Sequence, residues 1–406
     1  MRNLSRYWAH FSEIQKKVGF IGACKYAVRR LRSRGLTPSS IAVKRDIIGF
    51  YNFIYVAPFG MAINKGSNAV INWVIPDFGI GSGGHLNIFR VVKKLEEKGF
   101  VCRINIDGAT HFSTGKEARE CIREHFFPID AEVSIGRDEL MPASATFATG
   151  WTTAYTVRDF VGSGEKYYFV QDFEPFFSAL GSDYVFAEET YKFGFKGITA
   201  GSWLADKLSA EYAMKTVPFN FSYDRELYKP HLRRDPEKKR VFFYARPVTS
   251  RRAFELGLLT LAVIHKKNPA IEFVLAGWDL SGYEIPFPYL NCGVLSLNEL
   301  PDLYSQCDVA LVLSFTNLSL LPLETMACNC AVVSNKGANV EWLLNENVVQ
   351  FSDSSPEALS TTIVDLIEDD EKLYLLKKKG LEFAESTDWD IEVNKIADEI
   401  SRDLKK

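Results

Sequence analysis

Histidine and cysteine are scarce in this sequence, and neither is arranged for metal or disulfide chemistry. The seven cysteines stand at positions 24, 102, 121, 292, 307, 328 and 330, an odd number without the spacing of a secreted disulfide framework. No pair has metal-ligand spacing with histidines nearby, so no metal is expected and a reducing cytoplasm is the expected compartment. No apolar run reaches the roughly 20 residues of a spanning helix. The richest one, residues 47 to 63, is interrupted by Asn52 and Pro58 and reads as a strand or loop on the main body. The N-terminus is basic but has neither the apolar core of about 7–15 residues nor the cleavage site of a signal peptide. A net charge of −3 gives no overall attraction to nucleic acid.

What is present is the composition of a soluble globular protein. Its 406 residues are 47% apolar and 24% charged, too long for one ordinary core and suited to two domains. The charge is uneven. Residues 1 to 40 carry nine basic residues (Arg2, Arg6, Lys16, Lys17, Lys25, Arg29, Arg30, Arg32 and Arg34) against one acid, Glu13. Over the same stretch Leu4, Trp8, Phe11, Ile14, Val18, Ile21, Cys24, Val28 and Leu31 fall at steps of three and four, a helical stripe with the basic residues largely off it. Gly19 and Gly22 weaken a single unbroken helix. Two readings stand: residues 1–36 lie on an anionic membrane surface, or they pack on their own protein with a solvated basic face.

Strand and helix patterns then alternate, which predicts parallel sheets that collect ligands at strand carboxyl ends. AVINWVIPDF reads as a buried strand, followed by a loop with Gly81, Gly83 and Gly84 and a helix starting near His85. Glycines let an anion or a sugar hydroxyl approach backbone N–H groups at a helix start, although such loops also open many α/β units that bind nothing. A dinucleotide fingerprint would add an acid about 20 positions on, and only Asp107 lies near that place. SATFATGW predicts a strand ending at Thr149–Gly150, with Trp151 and Thr152 at the ligand edge. Trp151 is there either as a sugar platform or as a core residue. KYYFVQDFEPFF sets Gln171, Asp172 and Glu174 at the end of another strand. Two carboxylates there suit acceptor hydroxyls or the orientation of a nucleophilic hydroxyl; they equally suit the first turn of a helix containing Pro175. Asp388-Trp389-Asp390 spells D-x-D, a metal signature, but at a helix start it reads as a cap.

In the second half FFYARPVTSRRAFELG puts Arg246 just past a strand and Arg251 five residues on. AIEFVLAG is a strand ending at Gly277, CDVALVLS is another, and Glu324 opens a helix after the Leu-Leu-Pro-Leu run that begins at Leu320. Two arginines and a carboxylate at such ends fit a nucleoside diphosphate. The cations take the phosphates and the carboxylate accepts from ribose hydroxyls.

These residues resemble the retaining GT-B glycosyltransferases of family GT4, over roughly residues 65 to 385. The family's Arg, four residues, then Lys corresponds to Arg246 and Arg251, with Arg for Lys. Its E-x7-E pattern has its second glutamate at Glu324, while the first falls on Thr316. The wording ARP…RRAFELG and FVQDFEPFF is most similar to the WsaF-type rhamnosyltransferases. The resemblance implies an α/β GT-B fold of two Rossmann-like parallel-sheet domains facing across a cleft. Residues 1–64 would be the basic extension, 65–228 the acceptor-side domain, 229–384 the nucleotide-sugar domain, and 385–406 a helix crossing back to the first domain.

By the same resemblance the chain transfers a sugar with retention and without a metal. The implied donor is dTDP-β-L-rhamnose, with no other cofactor, and the acceptor a growing cell-surface glycan at the cytoplasmic face of the membrane. Arg246, Arg251, Glu324, Leu320 and Gly277 fall to the donor, with Gly81, Gly83 and Gly84 facing it across the cleft. His85, Asp172 and Glu174 fall to the reaction, and Trp151, Thr152 and Gln171 to the substrate. Thr316 in place of glutamate fits a deoxy sugar with fewer hydroxyl contacts, and equally a catalytically dead copy. A UDP- or GDP-sugar donor, a non-catalytic glycan-binding scaffold and a nucleotide-sugar epimerase are the alternatives. Retention of both arginines and Glu324 argues against a scaffold.

Overall fold

The computed structural model of the chain describes residues 47–55, 57–62 and 69–405, and the chain divides into two compact units, 1–52 and 53–406. The described part of the first unit is one helical turn, Ile47–Phe50, followed by Tyr51 and Asn52; the Tyr51 ring stands edge-on to Phe50 at 5.0 Å. The amphipathic stripe over residues 4 to 31 lies outside the described residues.

The second unit is built on two sheets. In the first, β1 (Val70–Ile75), β2 (Val101–Ile106), β3 (Glu132–Ile135), β4 (Ala143–Ala148), β5 (Ser163–Val170), β6 (Lys196–Ala200) and β7 (Thr216–Phe219) take the order β3-β2-β1-β4-β5-β6-β7. In the second, β8 (Arg240–Tyr244), β9 (Glu272–Ala276), β10 (Leu290–Asn291), β11 (Val309–Val312), β12 (Ala331–Asn335) and β13 (Gln350–Ser352) take the order β10-β9-β8-β11-β12-β13. All pairings are parallel. The strands read as apolar runs without alternation because helices cover both faces. Each sheet reverses its strand order beside its first strand, which opens a crevice at the carboxyl ends of β1 and β4 and of β8 and β11.

An aromatic ladder stiffens the centre of the first sheet. Trp73 on β1 is in register with Phe147 on β4, and Phe147 with Tyr167 on β5; the rings stack at 4.3 and 4.6 Å. Such pairs add roughly 0.5–1.5 kcal/mol each beyond their burial. The Tyr167 hydroxyl ends the ladder by donating to Asp403 at 2.8 Å. Asp403 lies on the last helix, Trp389–Leu404, which crosses back onto the first sheet's domain. Lys196 holds it through Glu399 (2.7 Å) and Asp403, the Asn220 N–H donates to Glu392 (2.8 Å), and Arg90 lies over the Trp389 ring at 4.7 Å. Asp388 caps this helix by accepting from the Asp390 N–H at 2.6 Å, so the D-x-D serves as a cap.

The chain passes between the sheets twice, and the two crossings are stapled together. Arg225 donates to the carbonyls of Glu385 (2.8 Å) and Thr387 (2.5 Å), and the hydroxyls of Ser222 and Thr387 meet at 2.9 Å. Phe219 at the end of β7 and Phe221, Tyr223 and Tyr228 of the first crossing carry one apolar core from the first sheet onto one face of the second; the other face, with Val241, Phe243 and Leu311, has its own. Within residues 47 to 63, Phe59 bridges to Phe160, exchanging backbone bonds with Asp159 and Val161 at 3.1 and 3.0 Å. Among the described residues no helix is long and apolar enough to cross a membrane.

Gly201, just past β6, has φ +90°, and a Cβ there would lie 2.5 Å from the Trp342 ring of the opposite domain. Overpacking and a left-handed backbone act together, so Gly201→Ala is expected to destabilise the protein by about 2–3 kcal/mol. Chemical denaturation checks this, and a midpoint equal to that of the unmodified chain would contradict the close interdomain contact.

Candidate active site between the two sheets

The first sheet contributes three loop starts. After β1 the chain turns through Gly81, at φ +85°, into the Gly83–Glu97 helix. Ser82 precedes this helix without capping it; its hydroxyl instead meets His85 Nδ1 at 2.8 Å. The other ring nitrogen of His85 is buried. Burial pushes the imidazole down to about 4, so it is neutral at physiological pH. Gln171, one residue past β5, holds the loop from below: its amide donates to the Gly84 carbonyl (3.0 Å) and accepts from Asn87 (3.1 Å).

After β4, Trp151 and Thr152 form the first turn of the Trp151–Asp159 helix, both half-buried, with the Trp151 ring edge-on to Phe53 at 5.6 Å. The N-terminus of this helix is held by Glu174 from the neighbouring loop, whose carboxylate accepts from the Trp151 N–H at 2.7 Å and from the Tyr168 hydroxyl at 3.1 Å. Glu174 thus supplies the negative charge a helix start attracts, but to a helix other than the short Glu174–Phe177 turn in which it stands. Burial pushes its carboxyl up to about 7, against those two hydrogen bonds.

Asp172 reaches out of the first domain. It is 8% exposed, and its Oδ1 accepts from the N–H groups of Phe173 (2.8 Å) and Asn317 (2.7 Å). Its Oδ2 accepts from the Thr316 hydroxyl at 2.7 Å, and Arg251 Nε stands 3.6 Å from the same oxygen. Asn317 completes the clasp: its amide donates to the carbonyls of Gln171 (2.9 Å) and Ala200 (2.7 Å), while its oxygen accepts from Trp342 Nε1 (2.9 Å).

The second sheet places Arg246 after β8, donating to the Tyr244 hydroxyl at 3.0 Å. The Tyr244 ring lies where a Cβ on Gly277 would be, 2.5 Å from it, and Gly277 takes φ +111°, so a glycine is required there. Arg251 stacks on Phe177 at 4.2 Å. The Nε atoms of both Arg246 and Arg251 are buried without a hydrogen-bond partner. Leu320 is buried at the start of the Leu321–Ala327 helix, and Glu324 stands in its first turn. Burial pushes Glu324 up to about 7, opposed by the Arg90 charge and a hydrogen bond from Tyr228.

The arrangement therefore brings Asp172 to Arg251, Gln171 to the glycine loop, and Arg246 to Gly277 through Tyr244. It sets Glu174 against Trp151, and Glu324 beside Arg90 and the first crossing. Three participants escaped the sequence reading. Arg252, not only Arg251, enters the seam, donating to Ser314 (2.5 Å) and the Asn317 carbonyl (3.3 Å). Asn317 and Tyr244 are the others. The Arg-Arg doublet was a signal for Arg252; nothing in the pattern singled out Asn317.

The raised Glu174 carboxyl has a consequence for stability. An acid whose folded value is about 7 against an ordinary 4.5 stabilises the fold below pH ~4.5, and that contribution is lost as pH rises through 7. Glu174→Gln is expected to remove up to ~1.4 kcal/mol per pH unit from the slope of stability between those values. Denaturation midpoints measured at successive pH values decide it; identical slopes for both proteins would refute the shift.

Known proteins share the fold. The sequence model of the family described as "WsaF, C-terminal domain" matches residues 239–364. The O-antigen biosynthesis protein RfbC of Myxococcus xanthus is 31% identical over 389 residues, 92% of this chain. The chain spans 30% of that relative's length. Sucrose-phosphate synthase from Thermosynechococcus elongatus superposes with a TM-score of 0.64 at 12% identity, over 83% of this chain and 99% of its own. Anabaena Alr3699/HepE, solved with UDP and glucose, gives 0.60 at 14% identity, over 83% and 99%. Two parallel-sheet domains, a WsaF C-terminal domain model that matches the second of them and a relative that matches nearly the whole chain lead to one conclusion: the chain has the GT-B fold and is similar to the WsaF-like glycosyltransferases.

Proposed function

We propose that the chain transfers a sugar from a nucleotide-sugar to a growing O-antigen or related cell-surface polysaccharide, with L-rhamnose from dTDP-β-L-rhamnose as the donor sugar. The observation that carries this reading is the pair of buried guanidinium nitrogens on Arg246 and Arg251 that have no protein partner. A buried charged N–H group without an acceptor is costly, and an anion or hydroxyl at the strand ends removes that cost. The name of the Myxococcus relative and the UDP and glucose held by the Anabaena protein support the substrate classes.

In this reading Arg246, fixed by Tyr244, stabilises the negative charge that accumulates on the departing diphosphate, and Arg251 adds its field beside it. Glu324 accepts from the ribose, with Leu320 at the same helix start. The glycine loop of Gly81, Gly83 and Gly84 and the neutral His85 close over the sugar from the other side. Glu174 keeps Trp151 and Thr152 in place at the acceptor edge. The departing phosphate takes the acceptor proton on the face it leaves, so configuration is retained without a protein nucleophile. The cations of the chain take the part that a metal would otherwise play. The basic residues of 1–36 bring the protein to an anionic membrane surface where the acceptor is anchored.

Thermal shift and calorimetry against dTDP-L-rhamnose, dTDP, UDP-glucose and GDP-mannose test the donor. Stabilisation by dTDP and its rhamnose conjugate is expected to rise with concentration as linkage requires. Preference for UDP or GDP would replace the sugar, and no response to any nucleotide would overturn the function. Arg246→Ala is expected to cost roughly 1.5–3 kcal/mol of donor affinity without unfolding the chain, and transfer is expected to survive a chelator. Removing residues 1–36 is expected to abolish pelleting with anionic vesicles; undiminished pelleting would refute the membrane contact.

A further inference from the structure

Asp172 and Arg251 approach each other from opposite domains, and each has a buried hydrogen-bonding position the protein does not use, one on Asp172 Oδ2 and the Nε–H of Arg251. An ionised carboxylate offers about four acceptor positions. Those of Asp172 are taken by the Phe173 N–H, the Asn317 N–H and the Thr316 hydroxyl, which leaves one on Oδ2. Arg251 Nε, 3.6 Å from that oxygen, is buried and bonds to nothing. At 3.6 Å the two do not complete each other, since a charge-assisted bond would be ~2.7–2.9 Å. Nε has no accessible surface as the side chains stand, so an oxygen at ~2.8–2.9 Å from both enters only as a neighbouring side chain moves aside.

The chemistry of that oxygen is constrained. It must accept from a guanidinium N–H and donate to a carboxylate. A hydroxyl does both. A phosphate oxygen satisfies Arg251 but has no proton for Asp172 and sets two negative charges side by side. The guanidinium face is covered by Phe177, whose ring lies 4.2 Å away and is 41% exposed, so it can swing aside. An aromatic face next to a polar pair is suited to the C–H and O–H groups of one sugar ring.

We propose that Asp172 and Arg251 together read a hydroxyl of the transferred sugar, with Thr316 as the positioning residue that aims the carboxylate. This rests on the nucleotide-sugar reading above and assigns the two arginines different tasks, Arg246 the diphosphate and Arg251 the sugar. Because the pair is divided between the two domains, the hydroxyl is read only where the domains are joined.

Titration calorimetry of the full chain, Asp172→Asn and Thr316→Val with dTDP and with dTDP-L-rhamnose tests this; if the chain prefers another nucleotide, UDP with UDP-glucose or GDP with GDP-mannose serve. Affinity for the nucleotide-sugar is expected to fall about tenfold in Asp172→Asn and about threefold in Thr316→Val, while affinity for the free diphosphate stays within about twofold. Thr316→Ser, which keeps the hydroxyl, restores the nucleotide-sugar affinity. Equal losses for both ligands would reduce the contact to a structural clasp, and unchanged nucleotide-sugar affinity would mean that solvent alone fills the gap. Thr316→Val is uncharged and nearly isosteric, so it carries the comparison even where Asp172→Asn fails to fold. An unmodified chain that binds neither nucleotide nor nucleotide-sugar overturns the donor reading itself, before any substitution is compared.

Discussion

The structure depends on one buried contact, in which Asp172 of the first domain accepts hydrogen bonds from Thr316 and Asn317 of the second. A carboxylate 8% exposed would be costly unpaired, and this one is balanced by two N–H groups, a hydroxyl and the nearby charges of Arg251 and Arg252. Everything at the seam is arranged around it. Gln171, the residue before, holds the glycine loop; Asn317 binds the carbonyls at the ends of β5 and β6; Trp342 follows Asn317 into the space left by Gly201. A single linked set of bonds therefore runs from the loop after β1 to Arg252 after β8.

Three carboxylates at this seam have raised proton affinity, and the surroundings separate their tasks. Glu174 is spent on a helix start and a tyrosine within its own domain. Glu324 is balanced by Arg90 and Tyr228 at the inner end of the cleft. Asp172 alone combines an unused acceptor position with a neighbouring unpaired cation. The same desolvation thus gives one anchor, one polar group beside the crossing, and one acid with an acceptor position open toward Arg251.

The two-sheet α/β architecture was legible because each strand announces itself as a short apolar run and each crossover as a helical pattern. The carboxyl edge of the sheets was legible for the same reason: Gln171, Asp172, Arg246 and Gly277 all fall directly after such runs, where a parallel sheet must deliver them. The sequence could not show which of these residues meet. The Asp172–Thr316 bond joins positions 144 residues apart, and no local pattern encodes it. Asp172 and Glu174 look alike as two acids separated by one residue, yet one turns into the seam and the other back to Trp151. Asn317 sits in a polar stretch that reads as ordinary loop; its importance comes from bonding two strand ends of the other domain at once.

The stapled crossings give the molecule a mechanical character. Two backbone passages tied by Arg225 and the Ser222–Thr387 pair behave as a hinge pin rather than as two loose tethers. With such a pin, one domain can swing about a line but cannot slide along the other, and displacement grows with distance from that line. Glu324, which shares Tyr228 with the first crossing, lies near the axis and keeps its alignment through a swing. A pinned pair of domains of this kind holds the residues beside the crossings in register, while those farthest from the pin are the least constrained.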